Sequence, residues 1–302
     1  LLIGWSNPLD LQEVIPKEGM GLNPLLQNPA MAIHPPSLYL GFIGFSVPFA
    51  FAMGGLIRGK MDNEWVLTTR RWTLMAWYFL SAGLILGGQW AYEELGWGGF
   101  WAWDPVENAA LMPWLTGTAF LHSVMIQEKR NMLKIWNVVL IIMTFGLTIL
   151  GTFLTRSGII NSVHSFTQSE IGPAFLIYLS LILITGFALL FKRIQMLESE
   201  HKIESVLCRE NVFLAQNVLL VGIAFTVLLG TIFPLLAEAV RGTKLSIQAP
   251  YFNTVTAPMG HALLLLMGVG MLISWRKSNL ESLRRNFQNP IILATVGTIF
   301  LS

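Results

Sequence analysis

An all-α fold, a polytopic bundle of transmembrane helices, is predicted by three features of this 302-residue sequence. Hydrophobic residues make up 54% of the chain and charged residues only 12%, about half the charge of an ordinary soluble domain. Seven runs have the roughly 20 mostly apolar residues that a spanning helix needs. No run shows the period-two alternation of a barrel strand, and a helix pairs its own backbone polar groups, as hydrocarbon demands. The composition excludes a disordered chain, a soluble enzyme core and a nucleic-acid binder, and a net charge of +2 is too small to attract a polyanion. A single cysteine, Cys208, excludes a disulfide framework and a cysteine-based metal cluster. The chain begins without Met and its last apolar run is unfinished at Ser302, so it reads as an internal fragment of a larger membrane protein.

In chain order, the predicted spans cover about 38–57, 72–92, 107–127, 135–155, 172–191, 211–236 and 257–275, with a truncated eighth from Pro290. Residues 1–37 form an outer segment, and 38–302 form the transmembrane domain. Orientation follows from the 19 basic residues: all but Lys17, Arg156, Arg241 and Lys244 fall in one set of alternate loops. The positive-inside rule puts that set in the cytoplasm. Segment 1–37, loop 93–106, loop 156–171 and loop 237–256 then face outward. Segment 192–210 is a charged cytoplasmic link, and no internal repeat or soluble domain interrupts the pattern.

The most unusual stretch is the loop 95–108, which carries Trp97, Phe100, Trp101 and Trp103 among glycines and closes on Asp104-Pro105. Tryptophan favours the membrane interface, which accounts for one or two such residues. Three in a glycine-rich loop form a better platform for a flat aromatic ligand, since glycine lets backbone approach closely and indole faces stack. Asp104 caps the third span with Pro105 in its first turn, or it joins Glu107 in bonding a ligand or Arg156. Arg156, at the outer end of the fourth span, either meets an acidic group on that ligand or snorkels to water. Thr144, Thr148, Thr152 and Thr155 mark one face of that span and fit helix packing by small hydroxyl residues.

Five histidines add to this. His201 lies in the charged link and reads as a solvated side chain. His34, stiffened by Pro35 and Pro36, and His164, in loop 156–171, share the outer side with the tryptophan loop. His122 lies inside the third span, where an ionisable residue is costly and marks function. His261 looks like its partner but stands at the wrong depth. His122 is about 10 Å above the inner boundary and His261 about 21 Å, at 1.5 Å per residue.

The stretch Trp97-Gly-Gly-Phe-Trp-Ala-Trp-Asp-Pro-Val-Glu-Asn-Ala resembles the tryptophan-rich "WWD" signature of heme-handling membrane proteins. With Ile33-His34-Pro35-Pro36-Ser37-Leu38-Tyr39 and Leu150-Gly-Thr-Phe-Leu-Thr-Arg-Ser-Gly158, the chain resembles the CcmF-type cytochrome c heme lyase family from about Asn23 to Lys277. The nitrite-reductase-specific paralogue is similar. The resemblance implies stereospecific thioether formation between heme vinyl groups and the CxxCH thiols of apocytochrome c, at the periplasmic face of an inner membrane. It implies that His34 and His164 ligate an exchangeable substrate heme, with Trp97, Trp101, Trp103 and Asp104 around it and Arg156 near a propionate. It implies a second, membrane-embedded heme b on His122, whose other ligand lies in a Leu-Ala-His-like context absent here and therefore beyond Ser302. His261 is then a weak candidate ligand. Implied partners are a periplasmic heme chaperone, apocytochrome c, thiol-redox subunits that present it, membrane lipid and a quinol. Two rivals are a heme transporter and a quinol-linked b-type electron carrier. A transporter needs broken helices and a polar midplane path, and an electron carrier needs histidines paired at matched depth.

Overall fold

The computed structural model describes residues 17–19, 21–157, 162, 171–199, 205, 207–242, 245–275 and 278–301. His164 and His201 lie outside the described residues. The regular elements among them are helical: α1 Ala30–Gly44, α2 Ser46–Arg58, α3 Glu64–Glu94, α4 Pro105–Arg130, α5 Lys134–Arg156, α6 Gly172–Arg193, α7 Arg209–Arg241, α8 Ala249–Leu272 and α9 Leu280–Leu301, with 3-10 turns at Pro24–Leu26 and Ile194–Leu197.

Among the described residues, six helical units are long and apolar enough to cross a membrane: Ala30–Arg58 (α1 running into α2), α4, α5, Gly172–Leu197, α7 and α8. The sequence predicts seven full spans. The difference is α3, which has the length at 31 residues but carries Trp72, Trp77, Tyr78 and three glycines where other spans carry aliphatic side chains. α9 opens on Glu281, Arg284 and Arg285 before its apolar run, and passes through Pro290 without a break. The chain is a multi-pass helical membrane protein.

Two boundaries differ from the sequence reading in ways that matter. α1 starts at Ala30, ahead of the predicted span, so His34, Pro35 and Pro36 are helical. α8 starts at Ala249 and α7 runs to Arg241, so most of the predicted loop 237–256 is helix. Local hydropathy underestimates both because Pro, Asn and Thr score as loop: Pro250 sits in the first turn of α8, where its missing N–H has no partner, whereas Pro35 and Pro36 lie inside α1 and interrupt its hydrogen bonding.

α4 is the centre, packed against α3, α5 and α7. Two thirds of its membrane-length window and of α5's is buried, against 11% of α8's, so the core lies between α4 and α5 and α8 is peripheral. Thr144 accounts for part of the α4–α5 contact: its hydroxyl is 3.0 Å from that of Thr116. Thr148, Thr152 and Thr155 donate to carbonyls of their own helix, which makes the threonine stripe a packing face.

The closest helix pair is α1 against α3. A Cβ added at Gly41 would meet Leu80 Cβ at 2.6 Å, at Gly44 Ala76 Cβ at 2.7 Å, at Gly83 Leu38 Cα at 2.8 Å and at Gly87 His34 Cε1 at 2.6 Å. Small residues let the two backbones touch, the usual device of helices in lipid. At the basic end, Arg130 and Glu210 form a buried bridge at 3.2 Å, and Gln127 links Asn63 to Asn137. Trp275 stands under two cations there, Lys129 at 4.5 Å and Arg209 at 5.3 Å from its ring centroid.

Candidate functional site

The tryptophan loop joins α3 to α4, and its shape comes from two carboxylates. Asp104 is the N-cap of α4 and accepts from Val106 N at 3.0 Å. Glu107, three residues on, reaches back to accept from Ala102 N at 3.0 Å and Asp104 N at 3.3 Å. This reciprocal capping box pins the loop to the helix, and Asp-x-x-Glu is its sequence signal. Behind it, Asn108 donates to Trp103 O and to Thr231 of α7, both at 3.1 Å, tying the loop to the core. Trp103 pays for the tight turn with a left-handed backbone, φ 60°.

The three tryptophans take different roles. Trp97 donates to Gly99 O within its own loop. Trp103 stacks on Phe252 of α8, with centroids 5.0 Å apart and planes 11° apart, and donates to Asn253 Oδ1 at 2.8 Å. Both are committed to the protein. Trp101 meets Trp103 edge-on, and its Nε1 is buried without a hydrogen-bond partner. Trp101 is therefore the ring with unspent polar capacity.

Trp101 faces His34. The two line one cavity of about 40 Å³ with Leu38, Leu84, Gly87, Gly88, Val106, Glu107 and Ala110. His34 reaches it because Gly87 lacks a side chain, and its Nδ1 is 2.7 Å from Gly83 O. A ring N–H donated to a backbone carbonyl fixes the tautomer with its lone pair on Nε2, the state that binds metal. The cavity is far below the roughly 300 Å³ at which ligand pockets begin, so it holds an imidazole edge and not a porphyrin. Next to it, across Leu84, Gly88 and Trp101, lies an open apolar groove of about 460 Å³, completed by Ser81, Ile85, Phe100, Leu111 and Trp114.

Arg156 ends α5 and is exposed. The chain beyond it returns to the loop: Ser162 Oγ donates to Asp104 Oδ2 at 2.6 Å. His164 follows Ser162 by two residues and lies outside the described residues.

His122 is separate from this cluster. Its ring lies against Phe213 of α7 at 5.3 Å, and Nδ1 is buried without a hydrogen-bond partner. An imidazole so placed fits an axial ligand of a membrane-held heme. His261, by contrast, is exposed, and its Nδ1 is 2.7 Å from Ala257 O of the preceding turn. Depth does not separate His261 from His122. Gly270 against Val212 and Gly230 against Phe252 pair α8 with α7 residue by residue, which brings His261 within about one helical turn of the level of His122. Face separates them instead: the buried side of α8 carries Phe252, Thr256 and Gly270, and His261 points away from it.

Gly83-x-x-x-Gly87, Asn108 and Asn253 were not singled out as site residues from the sequence, and Glu107 was expected to meet a ligand or Arg156, whereas it accepts from the backbone N–H groups of Ala102 and Asp104. A Gly-x-x-x-Gly pair is a recognised helix-contact motif, and Glu107 was visible from its spacing to Asp104. Asn108 and Asn253 carry no local signal, because their partners are distant in the chain.

Comparison with known proteins places the chain among relatives of known family. "Cytochrome c-type biogenesis protein CcmF" of Pseudomonas fluorescens is 44% identical over 297 residues, covering 98% of this chain and 45% of the relative. "Cytochrome c-type biogenesis protein NrfE" of Haemophilus influenzae is 38% identical over 282 residues, covering 93% and 44%. The solved structure "Cytochrome c Heme Lyase CcmF" superposes with a TM-score of 0.74 at 42% identity, covering 91% of this chain and 41% of that one. The chain thus spans about half the length of the relatives it matches. The pattern of the Cytochrome C assembly protein family matches residues 6–160, the stretch that holds His34, the tryptophan loop and His122, and the chain belongs to that family.

Proposed function

We propose that this chain is the heme-holding part of a cytochrome c heme lyase of the inner membrane, with its tryptophan loop on the periplasmic face. The observation that carries the reading is His34 locked through Nδ1 to Gly83 O while it shares a cavity with Trp101 and Glu107. In this reading the chain has seven full spans, with α3 counted as one, and a truncated eighth in α9.

Heme enters as a substrate brought by a periplasmic chaperone. His34 and His164 are its axial ligands. Trp101 faces its plane, Trp97 and Trp103 with Asp104 shape the loop, and Arg156 meets a propionate. The apolar groove beside Trp101 has the size and lining for the porphyrin edge. The apocytochrome, presented with both CxxCH thiols reduced, then adds each S–H across a vinyl group. Sulfur bonds to one vinyl carbon, hydrogen to the other, and nothing leaves. The protein's share is to hold the reacting atoms in line and exclude misaligned approach. The cytochrome's own histidine replaces one of the two ligands, which releases the product.

His122 would hold a resident heme b in the membrane, which when bound supplies the electron that keeps the substrate iron reduced, with a quinol as its source. His122's unpartnered, buried Nδ1 supports that role.

The test is heme content by pyridine hemochrome and maturation of a c-type cytochrome in His34→Ala, His164→Ala and His122→Ala. The expected result is loss of exchangeable heme and of maturation in the first two, and loss of heme b in the third. Normal maturation in the first two variants would remove the outer-ligand assignment.

A further inference from the structure

α4 and α7 lie antiparallel, and two contacts set their register. Arg130 bridges Glu210 at the basic end, and Asn108 bonds Thr231 at the tryptophan end. Glu210, Asn217, Ala224 and Thr231 are each seven residues apart, so Asn217 lies on the same α4-facing stripe as the two pinned residues. His122 lies on the matching stripe of α4, two heptads from Asn108, and its ring touches Phe213 of that α7 stripe. Stepping seven residues back from Arg130 and seven on from Glu210 pairs Ser123 with Asn217, which brings Asn217 level with His122. Counting in from Asn108 and Thr231 gives the same level to within one residue.

Three groups at this level are buried with no hydrogen-bond partner: His122 Nδ1, Ser123 Oγ and both amide atoms of Asn217. Asn217 and Ser123 are both 0% exposed. A buried primary amide with neither atom paired is unfavourable, and where several such groups converge they hold an ordered water. A buried water needs two to four polar partners, and these three groups supply them.

From this juxtaposition we infer that Asn217 is a positioning residue for His122, linked to its Nδ1 through one buried water that Ser123 also holds. The link donates the Nδ1 proton away from the ring, so Nε2 is the nitrogen offered to iron. It also makes the imidazole a stronger donor and favours Fe(III) over Fe(II). This rests on the reading of His122 as a ligand of a membrane heme.

The experiment is a redox titration and resonance Raman spectrum of the purified, heme-loaded protein, comparing wild type with Asn217→Leu, Asn217→Ser and His122→Ala. Leucine matches asparagine in shape and removes the polar atoms, whereas serine keeps a hydroxyl for the water. In Asn217→Leu the heme stays bound, the iron–histidine band moves to lower frequency and the midpoint potential rises. The rise corresponds to a roughly tenfold change in the reduced-to-oxidised ratio at fixed potential, about 59 mV for one electron. Asn217→Ser lies between the two. An unchanged potential and an unchanged band in a heme-loaded Asn217→Leu would overturn the link and leave the His122 reading intact. Full heme b in His122→Ala would instead overturn the ligand reading itself. If Asn217→Leu does not fold, Asn217→Ser against Asn217→Ala decides by the same two readouts.

Discussion

Gly87→Ala tests how His34 is held. The added Cβ would lie 2.6 Å from His34 Cε1, 2.9 Å from Nδ1 and 3.3 Å from Nε2, so the whole ring edge is struck at once. Ordinary contact begins at 3.4 Å, and the imidazole must retreat by about 0.8 Å. Its bond to Gly83 O is 2.7 Å long, so a retreat along that line stretches it to about 3.5 Å, the limit of a hydrogen bond. Two losses follow. One hydrogen bond disappears, worth about 1 kcal/mol of stability. The ligand nitrogen is displaced by nearly an ångström, which costs about a hundredfold in a reaction that depends on alignment. The assay pairs thermal unfolding in detergent with the yield of matured c-type cytochrome. A drop of a few degrees with near-complete loss of maturation is the expected outcome. Gly54→Ala is the control, since nothing lies within 4 Å of its added Cβ, and both readouts should stay at wild type. Wild-type maturation by Gly87→Ala would refute the idea that the Gly83–Gly87 face positions His34.

Other expectations follow from the same contacts. Trp101→Phe removes a buried, unpartnered N–H, so unfolding should be unchanged or slightly later while heme retention at the tryptophan end falls, as read by hemochrome analysis. Trp103→Leu breaks both the Phe252 stack and the Asn253 bond, and should destabilise by about 3 kcal/mol in chemical unfolding. Arg130→Ala removes the ion pair of Glu210, whose side chain is only 4% exposed, and should cost about 3 kcal/mol, seen as loss of monodisperse protein on size exclusion. Glu93 lies just beyond the predicted span 72–92, and the Asn28 amide, then that of Gln89, hold its carboxyl below the usual carboxylate range. A lowered pKa means these bonds are present above the ordinary carboxylate value and are lost as pH falls through the lowered one. In Asn28→Ala the Glu93 titration should move back up, measured by NMR of labelled glutamate.

Parts of the site were legible because they are local. Asp104 and Pro105 announce a helix start, and the glycine spacing of Trp97 to Trp103 announces a loop. His122 stands out because a bilayer penalises any ionisable residue. Other parts were not legible because the informative partner is far along the chain. No residue near Trp103 reveals that it is spent on Phe252 and Asn253, so the sequence offers three equivalent tryptophans where the fold leaves one. The α1 boundary was misplaced because prolines read as loop, although within α1 the helix packs so closely on α3 that the missing hydrogen bonds are tolerated.

By itself, the sequence determined that this chain is a helical membrane protein with an aromatic loop and a histidine inside one span. That information resides in hydropathy, charge asymmetry and composition, which depend on a residue and its near neighbours. The tertiary structure alone decided which face each side chain presents. It turned His34 toward Trp101 through two glycines of α3, turned His261 away from the bundle, and brought Asn217 level with His122. Those choices depend on the register between helices, which is set by a few distant contacts such as Arg130–Glu210 and Asn108–Thr231. Hydropathy is nearly the same for every register, so only packing could select one.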